Sequence, residues 1–204
     1  MYLYFDRTGY PMIPVRHRSF MMHLLQVTRH QFSLCPELGP SFQEATAFTR
    51  QSAPHLTEDD LIERHFMTGV LPDEVRTFAA WLSEDQTHAL EPVSTLDWLD
   101  LFDGLHMERL DEFLLLDQCQ HPSVQGLLKR VIHERDPQSY FDMTMKLDGL
   151  VEWVTTGSAW EGRGHPRYAF CIAAFGSSGD RTIQPVSSYE TERSFLFGFR
   201  LLQR

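Results

Sequence analysis

The sequence predicts an α+β fold, a twisted and mainly antiparallel sheet built from both ends of the chain with helices inserted between. Three observations carry this. Runs rich in β-branched and aromatic residues, bounded by Gly, Ser and Asp, fall at residues 2–5, 20–27, 151–155 and 167–175 and read as strands. The middle of the chain instead repeats its apolar residues at helical spacing. Near the end, Phe195, Phe197, Phe199 and Leu201 alternate with Ser194, Leu196, Gly198 and Arg200, the period of a strand with one face on a core. Gly198 inside that run marks a close approach by another backbone or a large ring.

The turn signal at Gly9-Tyr10-Pro11 separates the first two strands into a hairpin-like opening. Thr28 then caps a short helix to about residue 34, because its hydroxyl can accept from the first free backbone N–H groups. Pro36 and Pro40 close it. A second helix is expected over 41–50 with Phe42, Ala45 and Phe48 on one face. Thr57 followed by Glu58, Asp59 and Asp60 reads as a capped start for a helix over 61–67. The next helix begins at Pro72, tolerated in a first turn, and turns Val75, Phe78, Ala79 and Leu82 inward. Residues 97–102 form another short helix, and 105–119 and 123–135 two clear ones. No repeat or low-complexity tract interrupts the pattern.

A chain of 204 residues removes about 70% of its unfolded surface from water on folding, so a single domain over 1–204 is expected, with a helical insertion at about 105–135. The formal charge of −10 argues against nucleic acid, whose non-specific affinity comes from clustered Lys and Arg. Lys129 and Lys146 are the only lysines; the remaining cations are arginine, which favours fixed bidentate contacts. No run approaches the length of a membrane span, and the opening residues lack the basic and apolar regions of a secretory leader. Cys35, Cys119 and Cys171 are odd in number and far apart, which argues against a disulfide framework. A cytoplasmic location is the expectation.

Four short signals stand in fixed order near the end: Asp148-Gly149-Leu150-Val151-Glu152-Trp153, Thr156-Gly157-Ser158-Ala159-Trp160, Arg167-Tyr168-Ala169-Phe170-Cys171 and Gly198-Phe199-Arg200. Their order and spacing resemble the carboxy-terminal half of the formylglycine-generating enzymes, or sulfatase-modifying factors, whose hallmarks read roughly G-N-V-W-E-W, R-G-G-S-W and G-F-R. Residues 25–32, 72–82 and 90–98 are similar to earlier family segments. The resemblance implies a C-type-lectin-like fold. Helices at 105–119 and 123–135 would replace long irregular loops of the family.

The resemblance also implies what to look for chemically. In those enzymes two cysteines shortly after G-G-S hold copper, since soft thiolates suit Cu(I). The corresponding window here, 160–166, holds no cysteine. Cys171 reads as a buried apolar thiol. Another branch holds iron through three histidines, but the ten here are scattered with no H-x-x-x-H pair. The family's calcium cage uses the Asn of its first motif, and Gly149 stands at that position. No cofactor is therefore assigned; calcium stays open, and copper or iron belong only to an alternative. Glu152 and Trp153 read as structural, the carboxylate accepting from buried donors such as Arg200. Trp160, Glu161, Arg163, His165, Arg167 and Tyr168 form a loop of the aromatic and arginine type that dominates protein interfaces, with Arg181 on a second loop, 176–181, as a border. The expected function is a non-catalytic accessory module binding a protein or peptide. The alternative is a metal-dependent oxidase or oxygenase with a rearranged site built on His165, Glu161 or Cys171.

Overall fold

The computed structural model describes residues 2–57, 61–84, 87–104, 108–146, 151–156, 170–176, 179–185 and 192–204. The α+β expectation holds, with the strands divided between two sheets rather than one. In the first, β1 (Tyr4–Phe5), β2 (Pro11–Pro14), β3 (Met21–His23), β9 (Leu201–Gln203) and β4 (Leu90–Pro92) lie in that spatial order, every pairing antiparallel. In the second the order is β7 (Arg181–Pro185), β6 (Phe170–Phe175), β5 (Val151–Thr155) and β8 (Phe197–Phe199). Only β5 and β8 run parallel.

The opening turn is made by Asp6, whose carboxylate accepts from the backbone N–H of Thr8 at 2.8 Å and of Tyr10 at 3.1 Å. Gly9 supplies the positive φ of 81° that an L side chain resists. β2 was not foreseen. Both its ends are proline, a residue without a ladder donor, and here those ends are where the ladder to β1 and β3 begins and stops.

Thr28 caps α1 (Arg29–Ser33) as expected, with Gln31 returning the bond to complete a capping box. The second helix, α2 (Gly39–Ser52), is longer than expected at both ends and buries Ala45 and Thr49. α3 (Pro72–Ser83) buries Val75, Phe78, Ala79 and Leu82 as its spacing requires. Residues 61–67 form a 3-10 turn, Ile62–His65, instead of an α-helix; Glu58, Asp59 and Asp60 of the expected cap lie outside the described residues. α4 (Thr95–Gly104) spans the expected short helix. The helix expected from residue 105 starts only at α5 (Glu112–Gln118), capped by Asp111, which accepts from Leu114 N–H at 3.0 Å. α6 (Pro122–Arg135) matches its spacing. A π-type turn at Asp142–Lys146 was not foreseen.

The one strand expected over 195–201 is two. β8 belongs to one sheet and β9 to the other, with Arg200 between them. Residues 197–202 are all buried, so the alternation does not mark a wet face. Ser194 to Leu196 is a turn instead, with Leu196 exposed. The core has two parts. One gathers Phe32, Phe78, Trp153, Phe197 and Phe199, with Trp153 edge-on to Phe197 at 4.9 Å. The other collects Leu24, Trp98, Leu128, Val154, Cys171 and Leu202. Among the described residues no helix is long and apolar enough to cross a membrane.

Gly198 meets its expected close neighbour, which proves to be an amide side chain rather than a ring. A Cβ there would overlap the Gln26 side chain and stand 3.5 Å from the Met67 carbonyl oxygen. Gly198→Ala is expected to lower stability by about 1–3 kcal/mol in urea unfolding. A loss below about 0.5 kcal/mol would show that Gln26 moves aside at little cost.

Candidate functional site

Trp160, Glu161, Arg163, His165, Arg167 and Tyr168 lie outside the described residues. What is described is where their segment attaches. Thr155 at the end of β5 pairs with Phe170 at the start of β6, so the segment leaves and rejoins the sheet at one rung. That rung is pinned to the first sheet's side, since Thr155 N–H donates to the Val93 carbonyl at 2.9 Å. Arg181 opens β7 opposite Phe175. It is exposed and reaches back to the Leu99 carbonyl at 3.5 Å. Phe170 and Phe175 are the two ends of β6, about 17 Å apart at the rise of a strand, so Arg181 and the attachment rung stand at opposite ends of the same hairpin.

The hallmark residues that are described come together in the core. Glu152 of the first motif and Gly198 of the last are direct partners across β5 and β8. Arg200 donates to Glu152 Oε1 from Nε at 2.9 Å and Nη2 at 2.8 Å, and from Nη1 to the Leu24 carbonyl at 3.1 Å. Both side chains are buried, and the charge-assisted bonds on Oε1 offset part of the cost of burying the two charges. Trp153 is fully buried and donates its indole N–H to the Val70 carbonyl at 3.2 Å.

A second buried polar centre lies under the opening hairpin. Asp6 receives the Thr8 hydroxyl at 2.5 Å and the Gln31 amide at 2.9 Å, with His23 Nε2 at 3.0 Å. Burial by itself would raise the Asp6 carboxyl. The His23 hydrogen bond, the His23 charge and the bonds from Thr8 and Tyr10 outweigh it and hold the group below its ordinary value.

All three thiols are buried. Cys171 is fully buried among apolar side chains, as its sequence context implied, and burial pushes Cys119 up to about 11. No group of three or more His, Cys, Asp or Glu suited to a metal ion occurs among the described residues.

No family model, curated protein or solved structure matches this chain.

One further feature was missed from the sequence. A cleft of about 640 Å³ opens between α1, α2, the Ile62–His65 turn and α6. Arg29, Arg50, Arg64 and Arg130 line it together with His30 and His65. Those residues are spread over a hundred positions, so no local motif announces them; the only trace is the chain's preference for arginine over lysine.

Two measurements test these centres. Arg200→Met is expected to cost about 3–5 kcal/mol in guanidinium unfolding, because it strands a buried carboxylate. Adding Glu152→Gln should return part of that loss; a double variant as unstable as the sum of the single ones would show the pair to be uncoupled. For Asp6 the native pKa lies below the unfolded value of about 3.9, so its contribution is present above that value and lost as pH falls through the native one. Asp6→Asn should lower stability at neutral pH by about 1–3 kcal/mol and flatten the acid limb of the stability profile. Identical acid limbs in the two proteins would show that Asp6 titrates alike folded and unfolded.

Proposed function

We propose that this chain is a divergent relative of the formylglycine-generating enzymes, of C-type-lectin-like fold, that has lost the oxidase cysteines and acts as an accessory module binding a protein or peptide. The observation that carries this is where the hallmark residues spend their chemistry. Glu152, Trp153 and Arg200 are buried and bonded to one another's strands or to backbone carbonyls. Their bonds build scaffold. The window that holds the copper-binding thiolates in the enzymes has no cysteine, and Cys171 is sealed in the core. Support for the lectin-like fold comes from β9, which brings the end of the chain between β3 and β4, and from the tethering of the 157–169 segment at one rung of the second sheet.

On such a scaffold the 157–169 segment is the recognition element. Trp160 and Tyr168 supply apolar contact area at low entropic cost, and Arg163 and Arg167 supply directional donors. Its partner is an exposed peptide or protein surface with carboxylates for those arginines. The protein acts without nucleic acid or membrane, in the cytoplasm.

Selection of a displayed peptide library on the immobilised protein tests this. Enrichment of a peptide family whose binding drops about tenfold or more in Trp160→Ala and Arg163→Ala is expected. Failure to enrich any sequence, together with near-stoichiometric copper or iron that His165→Ala removes, would overturn the binding module and establish the metal-dependent oxidase instead.

A further inference from the structure

None of the residues that line the arginine cleft belongs to the 157–169 segment, and the cleft asks for its own explanation. In a chain of formal charge −10, four guanidinium groups and two imidazoles face one space, and none of the described residues lining it is acidic. Arg29 is held by a neutral partner, donating to the Thr46 hydroxyl at 2.5 Å. Arg130 donates Nη1 to His65 Nε2 at 3.2 Å and binds Glu134 at 2.5 Å from Nε. His65 thus presents a lone pair to a guanidinium, which needs the neutral imidazole. Burial, then the charges of Arg64 and Arg130, lower the His65 pKa against the opposing pull of Glu134, in keeping with that form. Arg29 is likewise lowered by burial first and by Arg64 and Arg50 next. Crowding like charges in a partly dry cleft costs free energy that an anion between them would recover.

α6 adds two independent features. Ser123 in its first turn lines the cleft, so the unsatisfied N–H groups and positive dipole end of a fourteen-residue helix lie at its edge. Gly126 lies in the helix interior, where glycine is less favourable than alanine. Packing does not demand it, since a Cβ there would meet nothing within 4 Å among the described residues. A bare backbone facing a cationic cleft is what a ligand approaching the helix needs. The volume suits a small molecule of nucleotide size, and Tyr10, Leu56 and Leu127 in the same lining offer surface for its uncharged part.

We propose that this cleft binds a small molecule bearing two or more phosphate charges, gripped by Arg29, Arg50, Arg64 and Arg130 with its organic part over Gly126. Phosphate fits better than a single carboxylate, because four cations line one space and several oxygens are needed to meet them together.

Titration calorimetry on the full chain in low salt with EDTA tests this, with tripolyphosphate and ATP as probes. One-to-one binding is expected. Arg50→Gln, at an exposed position that leaves the core intact, should weaken it about tenfold or more. Gly126→Leu should weaken ATP binding at least as much by filling the cleft, while Arg76→Gln, on α3 and outside the lining, binds as wild type. ATP bound more tightly than tripolyphosphate is expected, and the reverse would overturn the placing of an organic part over Gly126. Absence of heat with both probes at about 1 mM, the level of a contact worth only about 4 kcal/mol, would overturn the proposal. So would binding that Arg50→Gln and Gly126→Leu leave unchanged. Neither result bears on peptide binding by the 157–169 segment, which is read with different variants.

Discussion

Arg200 holds the architecture together. The chain crosses from the second sheet to the first in a single residue, between Phe199 and Leu201, and the side chain at that residue bonds to both sides of the crossing: Glu152 in β5 and the Leu24 carbonyl beside β3. A hydrophobic residue of the same size could fill the space, and exchanges of buried pairs for apolar groups are often neutral in net stability. It could not fix the register. Two forked donors on one carboxylate oxygen and a third on a defined carbonyl admit one relative placement of the sheets, and that placement sets where β9 slides between β3 and β4. Gly198 follows from it, because the strand so positioned presses its backbone onto Gln26.

The same device recurs where loops must be fixed against the core. Arg193 gathers Glu74, Glu44 and the Gly69 carbonyl, each at 2.7–2.8 Å, and Glu74 accepts in turn from Leu71 N–H at the start of α3. Arg204 joins Glu91 and Asp97, tying the last residue to β4 and α4. Asp6 does with donors what Arg200 does with acceptors, collecting hydroxyl, amide and imidazole so that the first hairpin and α1 share one anchor. The acidic surplus of the sequence is thus partly spent inside the fold, as specific acceptors for arginine, rather than as a diffuse solvated coat.

What could be read from the residues were the signals that local physics decides. Thr28 with Gln31 three positions on, Pro72 ahead of the spacing Val75, Phe78, Ala79, Leu82, and Val151 to Thr155 all formed where they were expected. The misses have a common cause: long-range pairing took residues whose local pattern pointed elsewhere. Residues 61–67 fit a helix, but Phe66 bridges Thr28 and Met67 N–H donates to the Val27 carbonyl, which stretches the segment after one 3-10 turn. Residues 108–110 fit helical spacing too, yet Arg109 bridges Ser139, with Leu110 N–H on Gln138 and Tyr140 N–H on Glu108. At the other end, alternation over 195–201 implied a face in water, because a period of two cannot distinguish a half-wet strand from two short strands each covered on both faces.

The site was legible in a different measure. Glu152, Trp153 and Arg200 were read in sequence as buried structural residues, and they are; Gly198 was read as a close approach but with the wrong neighbour, and the arginine cleft was invisible. Net charge is a sum over the whole chain, and it speaks only to a partner that reads the average field, such as a long nucleic acid. A cleft reads only what faces it. Arg29, Arg50, Arg64 and Arg130 come from four elements, and their neighbours in sequence, such as Glu63 on Arg135 and Glu134 on Arg130, supply compensating charges that flatten any running average. A strongly acidic chain can therefore carry a concentrated cationic site without leaving a basic stretch in its sequence. The preference for arginine is the residue-level trace of that arrangement: arginine keeps its charge when crowded and partly buried, where lysine would give up its proton.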